Sequence, residues 1–267
     1  MELPKIIQRF RDEIDKGVRD YKVPSGFLWG VFVAPIIVLC LAVAFLACSS
    51  TRPWARWMLS EAHPVEWLQF FILIMTMVLV IRLLIHARHA NRTVVIQGAL
   101  FFMVLGIFFV AMEEISWGQW VFGFETPEAI RSVNRQREMN IHNLPGIHAL
   151  FEIFRVLYGI VGLWAMRFTA SLRFRSLAPH FVLSSWFVVI VVIAALDLPN
   201  YYRPGMNILF IAVSRLVEVL ELLIYASLFL YLWFYERKFK FHKFQNSRDT
   251  YRFREGRTAL PNKNKKR

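Results

Sequence analysis

The stretch from Glu113 to His148, EEISWGQWVFGFETPEAIRSVNRQREMNIHNLPGIH, gathers the side chains best suited to chemistry. Thr126-Pro127-Glu128 has the make-up of a helix start: a capping hydroxyl, a proline at the first position and an acid in the first turn. This predicts a short surface or re-entrant helix running through Ile141. On such a helix Glu138 and His142 are four apart and point from one face. A carboxylate and an imidazole one turn apart can grip a metal ion, or serve as a general base and its orienting partner. Glu113 and Glu114 are adjacent at the end of an apolar run, so on a helix they point about 100° apart. On a later apolar run Glu218 and Glu221 share a face with Arg215. An Arg215–Glu218 pair leaves the second glutamate needing a proton, a metal or another cation. Glu61 and Glu66, with His63 between them, and Asp197 are placed to line the same mouth.

Three functional classes follow. The first is a metal-dependent hydrolase or transferase acting on a lipid or lipid-linked substrate from the outer side of a membrane. Glu138, His142 and one or two of Glu113, Glu114, Glu218 and Glu221 would hold a divalent zinc, iron or manganese ion, with a spare carboxylate as base on the bound water. Ser116 is a candidate nucleophile, since a carboxylate–histidine pair is available to activate it. Arg215, Gln119, Asn134, Gln136, Asn143 and His148 are supporting residues. No G-x-S-x-G, H-E-x-x-H or Glu-x-x-His motif reinforces this class. The second class is a proton- or cation-coupled transporter with Glu218 and Glu221 as the relay. The chain has no inverted repeat, and a homo-oligomer would supply the missing symmetry. The third is a non-catalytic scaffold. Each residue also has a plain structural reading: Glu61, Glu66 and Asp197 solvated at headgroups, His148 at the interface, the asparagines satisfying backbone, and Arg215–Glu218 as a structural pair.

The elements that must position these groups are membrane spans. The chain has 267 residues, 57% hydrophobic and 19% charged, with 25 Phe and 9 Trp, at a mean hydropathy of +0.43. Soluble domains are about 45–50% apolar and about 25% charged, which excludes a soluble enzyme, a disordered chain and a disulfide-stapled mini-protein. A membrane-crossing helix needs about 20 apolar residues. Residues 27–48, 65–85 and 93–112 read as three spans. Residues 145–166 form a fourth, weakened by Glu152 and Arg155, 181–196 a shorter fifth, and 206–235 a long sixth. Counted from Asn207, Glu218 then lies about 16 Å along its span, near the middle of a core about 30 Å thick. The expected fold is all-α: a polytopic six-helix bundle, preceded by residues 1–26 and followed by residues 236–267.

With both termini on one side, that side holds 24 of the 32 Lys and Arg residues, so the positive-inside rule makes the termini cytoplasmic. Every acid outside the two terminal segments falls on the opposite face or in the outer half of a span. The +13 net charge is therefore a topology signal first and points to no nucleic-acid partner. Residues 1–26 have the pattern of an amphipathic helix on the inner leaflet. The basic, Phe-rich tail suits an anchor on anionic lipid headgroups, each basic group near the surface contributing about 1 kcal/mol. Cys40 and Cys48, both in the first apolar run, make no disulfide framework.

The strings Glu113-Glu114-Ile115-Ser116-Trp117-Gly118-Gln119 and Asn134-x-Gln136-x-Glu138-x-Asn140-x-His142-Asn143 resemble the signature of a group of multi-spanning bacterial inner-membrane proteins. The resemblance covers roughly residues 112–144, with weaker echoes at Glu61–Glu66 and Glu218–Glu221. It implies a bacterial inner membrane and one shared site, and it supplies no reaction.

Overall fold

A computed structural model describes residues 3–60, 63–134, 137–141, 144, 146–168, 177–202 and 215–238. These form an all-α membrane helix bundle, without a strand among the described residues. Helix α1 covers Leu3–Tyr21, α2 Ser25–Ala47, α3 Arg52–Met58, α4 Pro64–His89 and α5 Val94–Glu114. A single 3-10 turn at Ser116–Gly118 leads into α6 (Gln119–Phe122) and α7 (Glu128–Arg131), followed by α8 (Ile147–Phe168). Another 3-10 turn, Phe181–Leu183, opens α9 (Ser184–Tyr202), and α10 runs over Arg215–Lys238.

Five of these helices are long and apolar enough to cross a membrane: α2, α4, α5, most of α8, and α10. The fifth expected span, read as a shorter one at residues 181–196, is the apolar stretch Phe181–Asp197, shorter than these five. It compensates by packing inside the bundle, with Leu183, Ile190, Ile193 and Ala194 all buried. Helix α4 obeys simple end rules. Pro64 stands in its first turn with Glu66, and His86, Arg88 and His89 close its last turn, matching the helix dipole at both ends.

Helix α4 packs on α5, and α8 on α9, which also lies against α2. Residues of α10 enter both hydrophobic clusters, one built on α4 and α5 and the other on α1, α2, α8 and α9. Helices α8 and α10 run parallel, because Arg155 meets Glu221 while Tyr158, one turn further on, meets Ile224 and Ser227. Two glycines let α8 approach α9 closely. A Cβ on Gly162 would sit 2.5 Å from Phe187 Cε1, and one on Gly159 would sit 2.6 Å from Val191 Cγ2.

The two ends of the bundle differ in charge. Arg82 of α4 pairs with Glu236 of α10 at 3.1 Å, and Arg237 donates to the Tyr21 carbonyl at 3.2 Å. This basic end therefore gathers α1, the α4–α5 turn and the end of α10. The opposite, acidic end gathers the start of α4, the end of α5 and the first turns of α8 and α10. Of the acids expected on one face, Glu66, Glu114, Glu152, Glu218 and Glu221 come together at this end.

The structure adds two features and corrects one sequence expectation. The amphipathic α1 covers its apolar face with protein: Ile14 and Tyr21 are buried, and the Phe10 ring lies 4.6 Å from Trp29 and 5.0 Å from Phe181. The connection after α2 contains α3, which no periodicity announced. Most consequentially, the helix expected through Ile141 stops at Arg131. Beyond it the chain is irregular, with Arg137 at φ 59°. The physical reason is competition. Thr126 uses its hydroxyl to accept from Gln119, and Asn134 and Asn140 bond to each other and to nearby backbone, so none supports a helical ladder.

Candidate functional site

Helix α5 ends in two adjacent carboxylates that serve different networks. Glu113 faces the loop that follows. Its Oε1 accepts from Trp117 Nε1 at 2.5 Å and its Oε2 from the Ile141 amide at 2.6 Å. Around this clamp Ser116 Oγ donates to Glu138 Oε2 at 2.6 Å, and Asn140 Nδ2 donates to the same oxygen at 3.0 Å. Asn134 Nδ2 donates to Asn140 Oδ1 at 2.8 Å, and Gln119 Oε1 accepts from the Met139 amide at 3.0 Å. These side chains latch residues 115–141 onto the end of α5.

The latch holds backbone that is unfavourable by itself. Ser116, Trp117 and Gly118 take φ values of 47°, 55° and 85° in succession. For the two non-glycine residues the left-handed region costs roughly 1–2 kcal/mol each. Such a conformation persists where surrounding contacts over-determine it, and here they do. Ser116 is 1% exposed with its hydroxyl committed to Glu138, so the arrangement reads as a fastening and presents no open nucleophile.

Glu114 turns the other way, as adjacent positions on a helix must. Its Oε1 accepts from Tyr225 OH of α10 at 2.7 Å. The charges of Glu66, Glu114, Glu218 and Glu221 lie within electrostatic reach of one another, although the four come from α4, α5 and α10. Arg155 of α8 is buried and forks between two carboxylates, one guanidinium nitrogen on Glu152 and the other on Glu221. The planar, five-donor guanidinium suits this bridging role. Gln69 donates Nε2 to the Glu218 carbonyl at 2.8 Å and lies against its carboxyl. The side chain of Gln69 is wholly buried, and its Oε1 has no partner among the described residues.

The cluster thus comprises five glutamates, a tyrosine and a glutamine around one arginine. It sits toward the acidic end of the bundle. Arg155 is about 12 Å along α8 from Ile147, while Glu114 and Glu66 occupy the very ends of their helices. Glu218 is therefore nearer the acidic end than the mid-span position that counting from Asn207 suggested.

The predicted residues divide accordingly. Glu114, Glu218, Glu221 and Glu66 come together. Glu113, Ser116, Gln119, Asn134 and Glu138 come together separately, in the latch. Glu61, Gln136, His142, Asn143 and the His148 side chain lie outside the described residues, so the Glu138–His142 face is not part of the description. Arg215 is exposed and makes no ion pair among the described residues; Arg155 takes the role assigned to it. Asp197, expected at solvated headgroups, is buried. Among the described residues no three His, Cys, Asp or Glu side chains are placed to hold a metal ion.

Sequence reading missed Arg155, Glu152, Tyr225 and Gln69 as site members. The signal was available: Glu152 and Arg155 are three apart within a span, Tyr225 is four beyond Glu221, and Gln69 is three beyond Glu66. Each spacing puts a polar group on the face of a known one. Glu152 and Arg155 entered only as charges weakening a span. In comparisons with known proteins, no family model, curated protein or solved structure matches this chain.

Proposed function

We propose that this membrane-spanning protein is a proton- or cation-coupled transporter whose binding site is the cluster of Glu114, Glu218 and Glu221 with Arg155. The observation that carries this reading is the crowding of like charge. Glu114, Glu218 and Glu221 lie within electrostatic reach of one another in a low-dielectric setting, with Arg155 the cation placed against them among the described residues, so their like charges repel unless protons or a cation are shared. Ionisable groups inside a membrane are expensive and mark ion or proton pathways. Coupled carboxylates of this kind share protons as a set, or share a cation in their place.

The basic end of the bundle is assigned to the cytoplasm of a bacterial inner membrane, on the strength of the Lys and Arg asymmetry and the motif resemblance. A topology reporter fused after Asn134 then reads outside, and one fused after Lys243 reads inside.

The metal-dependent hydrolase or transferase is the competing proposal. Metal analysis of detergent-purified protein separates the two. Near-stoichiometric zinc, iron or manganese that is lost in His142→Ala favours the enzyme. For the transporter, protein reconstituted in phosphatidylethanolamine–phosphatidylglycerol vesicles with an internal pH dye carries proton flux under an imposed potential. Glu221→Gln and Glu114→Gln abolish that flux. Equal flux in wild type, both variants and protein-free vesicles overturns the proposal.

A further inference from the structure

We infer that protons leave the acidic cluster toward the basic end along the α8–α10 seam, through the hydroxyls of Tyr158, Ser227 and Tyr231. This rests on the proton-coupled reading of the cluster above. Ser227 is 0% exposed and lies about 16 Å from the Lys238 end of α10, deep in a helix where its immediate neighbours Ala226 and Leu228 are apolar. A hydroxyl so placed needs a reason. Its Oγ is 2.9 Å from Tyr158 OH and donates to the Ile224 carbonyl at 2.8 Å.

Tyr158 stands one turn beyond Arg155 on α8, so the hydroxyl pair begins where the Arg155–Glu221 contact ends. Tyr231 follows Ser227 by four residues on the same face of α10. It lies within electrostatic reach of Tyr158 and also of Tyr235 and Tyr21, which is at the basic end. Its hydroxyl donates to the Leu177 carbonyl at 2.9 Å, beside the connection between α8 and α9. From Glu221 to Tyr231 the line rises about 15 Å. The hydroxyls thus lie at intervals along the seam between the carboxylates and the charged end of the bundle.

A hydroxyl is both donor and acceptor. Each can take a proton on a lone pair and pass its own onward, so that a proton leaving a carboxyl at one end is matched by one released to water at the other. Every hydroxyl is neutral before and after, and the proposed route requires water to bridge the intervals between them. The competing explanation is that the Tyr158–Ser227 contact only fastens two helices, for which interhelical hydrogen bonds in a membrane contribute about 0.6 kcal/mol on average.

The vesicle assay separates these explanations, using Ser227→Ala, Ser227→Thr and Tyr158→Phe in the full chain. Ser227→Ala and Tyr158→Phe are expected to slow proton flux at least tenfold, and Ser227→Thr, which keeps the hydroxyl, to restore most of it. Labelling of the cluster carboxyls by dicyclohexylcarbodiimide, which reacts with protonated intramembrane acids, is expected to stay at the wild-type level in all three. Melting in detergent reports folding, and the Thr and Ala variants are compared at matched melting temperature. If Glu221→Gln stops flux while Ser227→Ala and Tyr158→Phe match wild type, the route is wrong and the site stands. If Glu221→Gln also matches wild type, the functional reading itself fails.

Discussion

Arg155→Met isolates the consequence of placing one cation among many acids. The guanidinium holds Glu152 and Glu221 at once. Removing it takes this partner from two carboxylates, one of them buried and the other with 15% of its side chain exposed. Breaking a buried pair by removing one member costs about 3–5 kcal/mol. Glu221 keeps part of its hydration, so most of the penalty falls on Glu152, and the expected loss for Arg155→Met at pH 7 is about 3–5 kcal/mol in total. The triple variant Arg155→Met, Glu152→Gln, Glu221→Gln removes both carboxylate charges together with the guanidinium and recovers most of the loss. Unfolding of purified wild type, single and triple variants in mixed micelles at pH 7, followed by far-ultraviolet circular dichroism, measures these differences. An Arg155→Met variant within about 0.5 kcal/mol of wild type at pH 7, or a triple variant no more stable than the single one, refutes the reasoning.

Gly162→Ala forces a methyl group to within 2.5 Å of the buried Phe187 ring. The expected loss is about 1–3 kcal/mol, read as a lower midpoint in the same unfolding experiment and partly rescued by Phe187→Leu; an unchanged midpoint counts against close α8–α9 packing. His180 caps the first turn before α9 and lies among Glu13, Lys16 and Asp20 of α1 and Lys238 of α10, where burial holds its imidazole down at about 4, below the ordinary 6.5. Between those values the unfolded chain binds the extra proton, so this stability is complete above pH 6.5 and falls by an order of 3 kcal/mol as the pH drops toward 4. The acid-side slope of melting temperature should flatten in His180→Asn, which keeps a capping oxygen; an identical slope rejects the assignment. Glu113→Gln weakens the clamp on Trp117 and Ile141 by about 1.5–3 kcal/mol. Tryptic cleavage at the exposed Arg131 and Arg137 should quicken tenfold or more, and cleavage at the wild-type rate means that other bonds hold the loop.

Much of this architecture is local information. An uncharged run such as Ser25–Ala47 has to be a helix in a membrane, because only a helix satisfies every backbone group within a single segment. The asymmetry of Lys and Arg separates the two ends of the bundle before any packing is known. Even the divergence of Glu113 and Glu114 follows from helical rotation alone. Residues 126–141 mark the limit of that reasoning. Their capping pattern favours a helix by a fraction of a kcal/mol per position, and bonds to Glu113 and Gln119 across more than a turn of sequence outweigh it.

The composition of the acidic cluster is the clearest tertiary decision. Arg215 is the neighbour of Glu218 and Glu221 along the chain, yet Arg155, 66 residues before Glu221, is the cation that reaches it. Spacing along one helix says only which side chains share a face. Which face meets which depends on α8 lying parallel to α10, and on Gly159 and Gly162 letting α9 close in behind it. That arrangement is a sum over many non-local contacts, each small, and no single stretch of sequence contains it.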